Sequence, residues 1–282
     1  MPDVEIVQHG NRRAAMNAAQ VRSERWGPRT VDLDLLLYDD VVIDDEAPAR
    51  AALTVPHPRM TTRRFVLEPA VEIAPDLRHP LAGCSLRDLL DNISQPSLHV
   101  CVVGIPEAGA DGIARGIADA TLARLVHVDA SPPEGAGAGD LASWRKVLAA
   151  AAAPLSPRGW REDPHGSVTD QWLGAFVVAA GEALSAADLA SFAADHAKAM
   201  TASVRPHVAV ALRLSGDAIA RRSGAARAAV ASRSRFQERL LARLRCREAG
   251  PEAAAPPSVV VVDADDPVHA LDEAIAAVEA AA

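Results

Sequence analysis

The chain has 282 residues, a length that suits two domains, and its formal net charge of −8 speaks against nucleic acid as the main partner. Nearly half of it is hydrophobic (49 %), which is enough for large cores, but much of that half is alanine and aromatics make up only 3 %. Lysine occurs only at Lys146 and Lys198, so arginine carries almost all the positive charge. No long apolar span is free of charges and no basic-then-apolar leader opens the chain, so the expectation is a soluble, unexported, cytoplasmic protein with no membrane partner. Cys84, Cys101 and Cys246 lie far apart with no C-x-x-C spacing and read as reduced, buried thiols.

Residues 1 to 20 carry the weakest pattern: a short strand over Met1–Val7, a break at Gln8–Arg13, then a turn or two of helix over Ala14–Ala19. A far more informative stretch runs from Arg25 to Tyr38. Val31, Leu33, Leu35 and Leu37 alternate with Asp32 and Asp34, which predicts a β-strand with both carboxylates on one face. Carboxylates at i and i+2 stand roughly 7 Å apart at Cα, a spacing that suits a shared hard cation or a metal pair. An Asp-x-Asp on a strand is otherwise a solvated face. Arg25 and Arg29 flank the rigid Trp26-Gly27-Pro28 turn just upstream. Cations beside a carboxylate pair suggest a polyanion held between them, such as a metal-bound nucleotide triphosphate.

Asp39 and Asp40 predict a turn, and Val41–Ile43 a short β run that would pair back as a hairpin. Asp44-Asp45-Glu46 reads as a solvated acidic loop rather than a metal site. In Val55–Leu67, His57 sits between two prolines that pre-set its backbone, Arg63 can pair with phosphate, and Phe65 can stack on a flat heterocycle. Met60–Leu67 enters a short helix. Ala82–Leu90 reads as a further helix, with Ser85 as N-cap and Asp88 three residues on.

Taken together, Arg25–Tyr38, Leu53–Leu67 and Pro69–Pro75 resemble 6-hydroxymethyl-7,8-dihydropterin pyrophosphokinase of folate biosynthesis, over about residues 22 to 92. The resemblance implies transfer of diphosphate from ATP to the pterin hydroxymethyl group, leaving AMP, on an α+β, ferredoxin-like fold. By position, Asp32 and Asp34 resemble the family's two Mg2+ ligands. Arg29, His57 and Arg63 resemble the triphosphate contacts, with Arg25 beside them and Arg22 as the remnant of an arginine-rich segment. Trp26 and Phe65 resemble the aromatic residues that close on the pterin. In that family about half of the domain precedes the Arg-Trp-Gly-Pro-Arg segment. Its absence here predicts an incomplete ferredoxin-like sheet over residues 1–96, with edges that favour association into a homo-oligomer.

A second unit, 97–282, is expected after Gln95-Pro96-Ser97. Leu98–Val103 is a buried strand that leads through Gly104–Gly112 into a helix over Ile113–Leu122. Gly104 and Gly109 have the G-x-x-x-x-G spacing of a phosphate loop, but Ala110 and Asp111 stand where Lys and Ser or Thr should follow. A glycine-rich loop at Ser131–Gly139 precedes a helix over Trp144–Ala152. Ser167–Trp172 leads into an alanine-rich helix to about Ser203, and Pro206–Leu214 is a strand. A helix starts at Asp217, a longer one spans Ser234–Arg247, Pro257–Ala264 is a final strand and Pro267–Ala281 a final helix. Alternating β and α units predict a parallel sheet covered on both faces. The order of glycine loop, Thr169-Asp170-Gln171-Trp172, β-strand and arginines at 221, 222 and 227 resembles the deoxynucleoside-kinase branch of the P-loop kinases. Without the loop lysine this implies a degenerate kinase fold. The overall expectation is α/β, with small-molecule partners, ATP and the pterin. The alternatives are a catalytically inactive scaffold and a nucleoside kinase acting through 98–282.

Overall fold

The computed structural model describes residues 34–44, 53–133, 135, 139–245 and 256–282. The chain divides into two compact units, the first ending at Pro58 and the second running from Arg59 to Ala282. The expected elements of residues 1–20 lie outside the described residues. So do Asp45 and Glu46, part of the loop at Ser131–Gly139, and Cys246.

In the first unit, strand β1 (Ile43–Asp44) pairs antiparallel with β2 (Thr54–Val55), with Ile43 opposite Val55. The turn at Asp39-Asp40 is present. Val41 N–H donates to the Tyr38 carbonyl at 3.0 Å, and Asp39 takes a left-handed φ of 49°. An aspartate tolerates that backbone better than most side chains. Two expectations need correction. Residues 34–38 are not a strand, and β1 pairs with β2 rather than with them. The alternating pattern marks a strand only where a neighbour completes a ladder. Among the described residues the backbone link from this segment is His57 N–H donating to the Leu36 carbonyl at 2.8 Å. Leu35, Leu36 and Leu37 are all half-buried instead of alternating.

The second unit is built on a five-stranded, all-parallel sheet. Its strands are β3 (His99–Val103), β4 (Arg124–Val126), β5 (Ser167–Thr169), β6 (Val208–Arg213) and β7 (Ser258–Asp263), in the order β4-β5-β3-β6-β7. Every residue of β3 is buried, as expected of a central parallel strand covered on both faces. One face receives Leu240, Leu241 and Leu244 of helix α8 (Arg227–Arg245), against Cys101, Val103, Ala209 and Ala211. Helices α3 (Ala110–Thr121) and α9 (Pro267–Glu279) pack together beside the strands, at small residues. A Cβ on Gly116 would come within 2.5 Å of Leu271, and Ala270 and Ala274 of α9 are fully buried. The abundance of alanine thus has a structural use, since short side chains let helices lie close.

Helices α4 (Leu141–Ala152), α5 (Gly174–Ala183) and α6 (Ala186–Thr201) enclose a second core around Trp144 and Phe192, whose rings meet edge to face at 5.7 Å. The single alanine-rich helix expected to Ser203 is two helices. Ser185 caps α6 by accepting from the Asp188 N–H, and that cap ends the run. Helix α7 (Gly216–Ser223) is capped the same way by Ser215. The edge strand β4, only three residues long, was not anticipated.

Residues 59–96 belong to the second unit. A 3-10 turn at Met60–Thr62 leads into α1 (Arg64–Ile73), and α2 (Leu86–Ile93) follows. Ser85 and Asp88 form a reciprocal capping box on α2, as their spacing predicts. Leu86, Leu89 and Ile93 bury one stripe of α2, worth about 1.5–3 kcal/mol each. The segment is tied to the sheet by hydrogen bonds. Ser258 Oγ donates to the Thr61 carbonyl at 2.7 Å, Asn92 Nδ2 to the His207 carbonyl at 2.9 Å, and Arg64 N–H to the Ala280 carbonyl at 3.1 Å.

Candidate active site

In the first unit the structure brings together two of the residues singled out from sequence. Asp34 precedes the turn that leads to β1, and His57 follows β2, so the antiparallel pairing returns the chain to its starting point. His57 Nε2 lies 3.7 Å from Asp34 Oδ2, beyond direct hydrogen-bond length. The imidazole is mostly buried, whereas the Asp34 side chain is 57 % exposed. An exposed carboxylate oxygen with a nitrogen base set just beyond it is a donor suited to a hard divalent cation. Among the described residues no three His, Cys, Asp or Glu converge on one point. Asp32, Arg22, Arg25, Trp26 and Arg29 lie outside the described residues.

Two further candidates open the second unit. Arg63 is the residue before α1, and its guanidinium carbon lies 5.7 Å from the centre of the Phe65 ring. That is within cation–π range. Phe65 is 66 % exposed, unusual for a phenylalanine. A flat aromatic face with a cation beside it can hold a heterocycle and a phosphate on one substrate. Arg59, which the sequence reading did not select, is ion-paired with Glu273 of α9. Burial, then the neighbouring Arg63 charge, lowers its pKa.

The glycine segment after β3 is not an open phosphate loop. Pro106–Ala108 forms a 3-10 turn, and α3 already begins at Ala110 rather than Ile113. Gly109 is left-handed, at φ 72°. A Cβ on Gly104 would sit 2.9 Å from that of Ala108, so the chain is folded tightly upon itself. Asp111 lies exposed in the first turn of the helix. Of the three arginines suggested as phosphate clamps, Arg222 is used internally, donating to the carbonyls of Glu107, Ala264 and Asp265.

Sequence reasoning missed two polar side-chain pairs at the carboxyl ends of the strands. His127 Nδ1 meets Asp170 Oδ2, while Asp170 Oδ1 accepts from Val128 N–H at 3.0 Å. Glu107 Oε1 pairs with Arg233 Nε of α8 at 2.5 Å. Neither pair shares a short segment, so no local spacing signals it. A buried polar group at the opposite ends of the strands is also notable. His99 Nε2 lies 3.2 Å from Thr169 Oγ1, and its ring packs on Trp160 at 4.7 Å. Burial pushes this imidazole down to about 3.

Comparison with known proteins gives two sets of similarities. Residues 5–75 match the family described as 7,8-dihydro-6-hydroxymethylpterin-pyrophosphokinase, a match that begins further upstream than the resemblance over 22 to 92. The 2-amino-4-hydroxy-6-hydroxymethyldihydropteridine pyrophosphokinase of Synechocystis sp. is 38 % identical over 91 residues, 32 % of this chain and 44 % of that protein. The protein of the same name from Pseudomonas aeruginosa is 46 % identical over 75 residues, 27 % of this chain and 43 % of its own. The chain thus spans just under half the length of these two curated relatives. A solved deoxyadenosine kinase from M. mycoides overlays 64 % of this chain and 98 % of its own, at 11 % identity and a TM-score of 0.45. Asp34, His57, Arg63 and Phe65 all fall inside the segment that matches this family.

Proposed function

We propose that residues 1–96 act as a pyrophosphokinase domain, moving diphosphate from ATP to 6-hydroxymethyl-7,8-dihydropterin and releasing AMP. The observation that carries this reading is the approach of His57 to Asp34 inside the matched segment. Asp32 and Asp34 would hold Mg2+, which when bound offsets the charge on the ATP phosphates. Arg29, His57 and Arg63 neutralise charge that develops on the β-phosphate and the leaving AMP, while Arg22 and Arg25 add to the field that draws the triphosphate in. Trp26 and Phe65 hold the pterin ring between aromatic faces. The pterin hydroxyl oxygen attacks the β-phosphorus in line. The bond from that phosphorus to the oxygen bridging it to the α-phosphate breaks, AMP departs with the bond's electrons, and the hydroxyl proton passes to solvent. No covalent intermediate with the protein is required.

On this reading the substrates are ATP and the pterin, and the protein works in the cytoplasm as a homo-oligomer. Residues 97–282 are read as a kinase-like domain without phosphate-loop chemistry, serving as scaffold. Asp111 in place of a hydroxyl residue and the internal use of Arg222 favour that role over a nucleoside kinase. The test is Asp34→Ala. Pterin-dependent AMP formation is expected to fall to background with the circular dichroism spectrum unchanged. Undiminished turnover would remove Asp34 from the site.

A further inference from the structure

Residues 59–64, at the start of the second unit, include the arginines Arg59, Arg63 and Arg64. Two of them are engaged by carboxylates. Arg59 is ion-paired with Glu273 of α9, whose side chain is only 13 % exposed. Arg64 Nε lies 3.7 Å from Glu68, and its Nη2 donates to Ser94 Oγ at 2.8 Å. Arg63 instead faces the Phe65 ring. Arg59 and Arg63 are near enough to feel each other, since burial and then the Arg63 charge lower the Arg59 pKa. Two cations so placed repel, and the Glu273 carboxylate offsets that repulsion.

The backbone between the two arginines is held from the same side. Met60, Thr61 and Thr62 form a buried 3-10 turn, and Arg63 leaves it with an extended backbone ahead of α1. Ser258 Oγ, at the start of β7, donates to the Thr61 carbonyl at 2.7 Å, and Arg64 N–H donates to the Ala280 carbonyl, just after α9, at 3.1 Å. One β-α unit, β7 with α9, thus grips this stretch at a side chain, at the turn and at the start of the helix. Glu273 and Ser258 lie 214 and 197 residues further along the chain than the groups they hold, and outside the segment that matches the pyrophosphokinase family. A group that receives a substrate must be held to within about 0.5 Å, so the residues that hold it matter as much as the group itself. We infer that Glu273, supported by Ser258, is a positioning residue of the pyrophosphokinase site. It fixes the Arg59 charge, and with it the place of Arg63 and Phe65, where the polyphosphate and the flat ring of the substrates are received. This rests on the pyrophosphokinase reading of Arg63 and Phe65, and it gives the C-terminal β-α unit a part in the reaction.

The experiment is calorimetric titration of the full chain with ATP and Mg2+. Glu273→Gln keeps the shape of the side chain and removes its charge. It is expected to weaken ATP binding roughly tenfold, because Arg59 then pushes Arg63 aside. In an Arg63→Ala background the same change is expected to have no effect, since Glu273 acts through Arg63. No loss in the native background, or an equal loss in both, would overturn the inference. Hydrogen exchange reads the same point without any ligand. Arg64 N–H is bonded to the Ala280 carbonyl, and the N–H groups of Val66 and Leu67 to the Arg63 carbonyl. These amides are expected to exchange roughly tenfold faster in Glu273→Gln and in Ser258→Ala than in the native chain. If neither variant speeds them, the inference fails, whether or not the chain binds ATP. ATP held through Arg63 without pterin-dependent AMP would sink the pterin reading and leave this inference standing.

Discussion

Asp34 and His57 are separated in sequence by the whole β1–β2 pairing, and that pairing is what places them 3.7 Å apart. Their residue types were legible as chemistry: a carboxylate for a hard cation, and an imidazole fixed between prolines. Their approach was not, because it depends on the pairing of Ile43 with Val55 rather than on the expected strand over 31–37. His99 makes the opposite case, since no motif pointed to it. Its neutral form is enforced by burial, which pushes its pKa down to about 3, and burial lowers His207 as well. In the unfolded chain both imidazoles titrate near the ordinary histidine value of about 6.5. Below that value the unfolded state binds more protons, so stability falls as pH drops from about 6.5 towards 3. His99 alone contributes a slope of about 1.4 kcal/mol per pH unit. Chemical denaturation between pH 7 and pH 4 is expected to show a shallower acid decline for His99→Gln than for the native chain. Parallel declines would remove His99 from the account.

At the scale of elements, caps and breaks were read best where the signal is local. Ser85 and Asp88 lie three residues apart and satisfy each other's backbone donors, so the start of α2 follows from four residues of sequence. Ser85→Ala is expected to cost about 1 kcal/mol and to lower the melting temperature by a few degrees. A melting curve identical to that of the native chain would show that the cap adds nothing beyond packing. The division of α5 from α6 rests on the same chemistry at Ser185 and Asp188, but a long run of alanine hid it. Alanine favours helix throughout and so supplies no boundary of its own. Strand β4 escaped notice because three residues cannot display a period. The central strands were plain, since residues 100–103 of β3 and 208–212 of β6 are continuous apolar runs of the kind that a doubly covered parallel sheet requires.

For the whole molecule, the α/β class and the parallel sheet follow from the alternation of strand and helix signals. The boundary between compact units does not, because it is set by packing rather than by loop composition. Gln95-Pro96-Ser97 looks like a linker, yet the residues before it are bound to β7, to His207 just ahead of β6 and to the end of α9 by the bonds from Ser258, Asn92 and Arg64. A chain beginning at Arg59 is expected to unfold in one cooperative transition near that of the native second unit. A chain beginning at Ser97 loses those bonds and the cover of Leu86, Leu89 and Ile93. It is expected to melt lower and to bind a hydrophobic dye. Equal stability of the two would show that residues 59–96 are packed without consequence.

The most direct measurement is nucleotide product analysis on the purified full chain with ATP, Mg2+ and 6-hydroxymethyl-7,8-dihydropterin, with deoxynucleosides tested separately. AMP that appears only when the pterin is present, with no ADP from any deoxynucleoside, is the predicted result. AMP no higher than in the pterin-free control would contradict the central claim, and deoxynucleoside-dependent ADP would contradict the reading of the second unit as a scaffold.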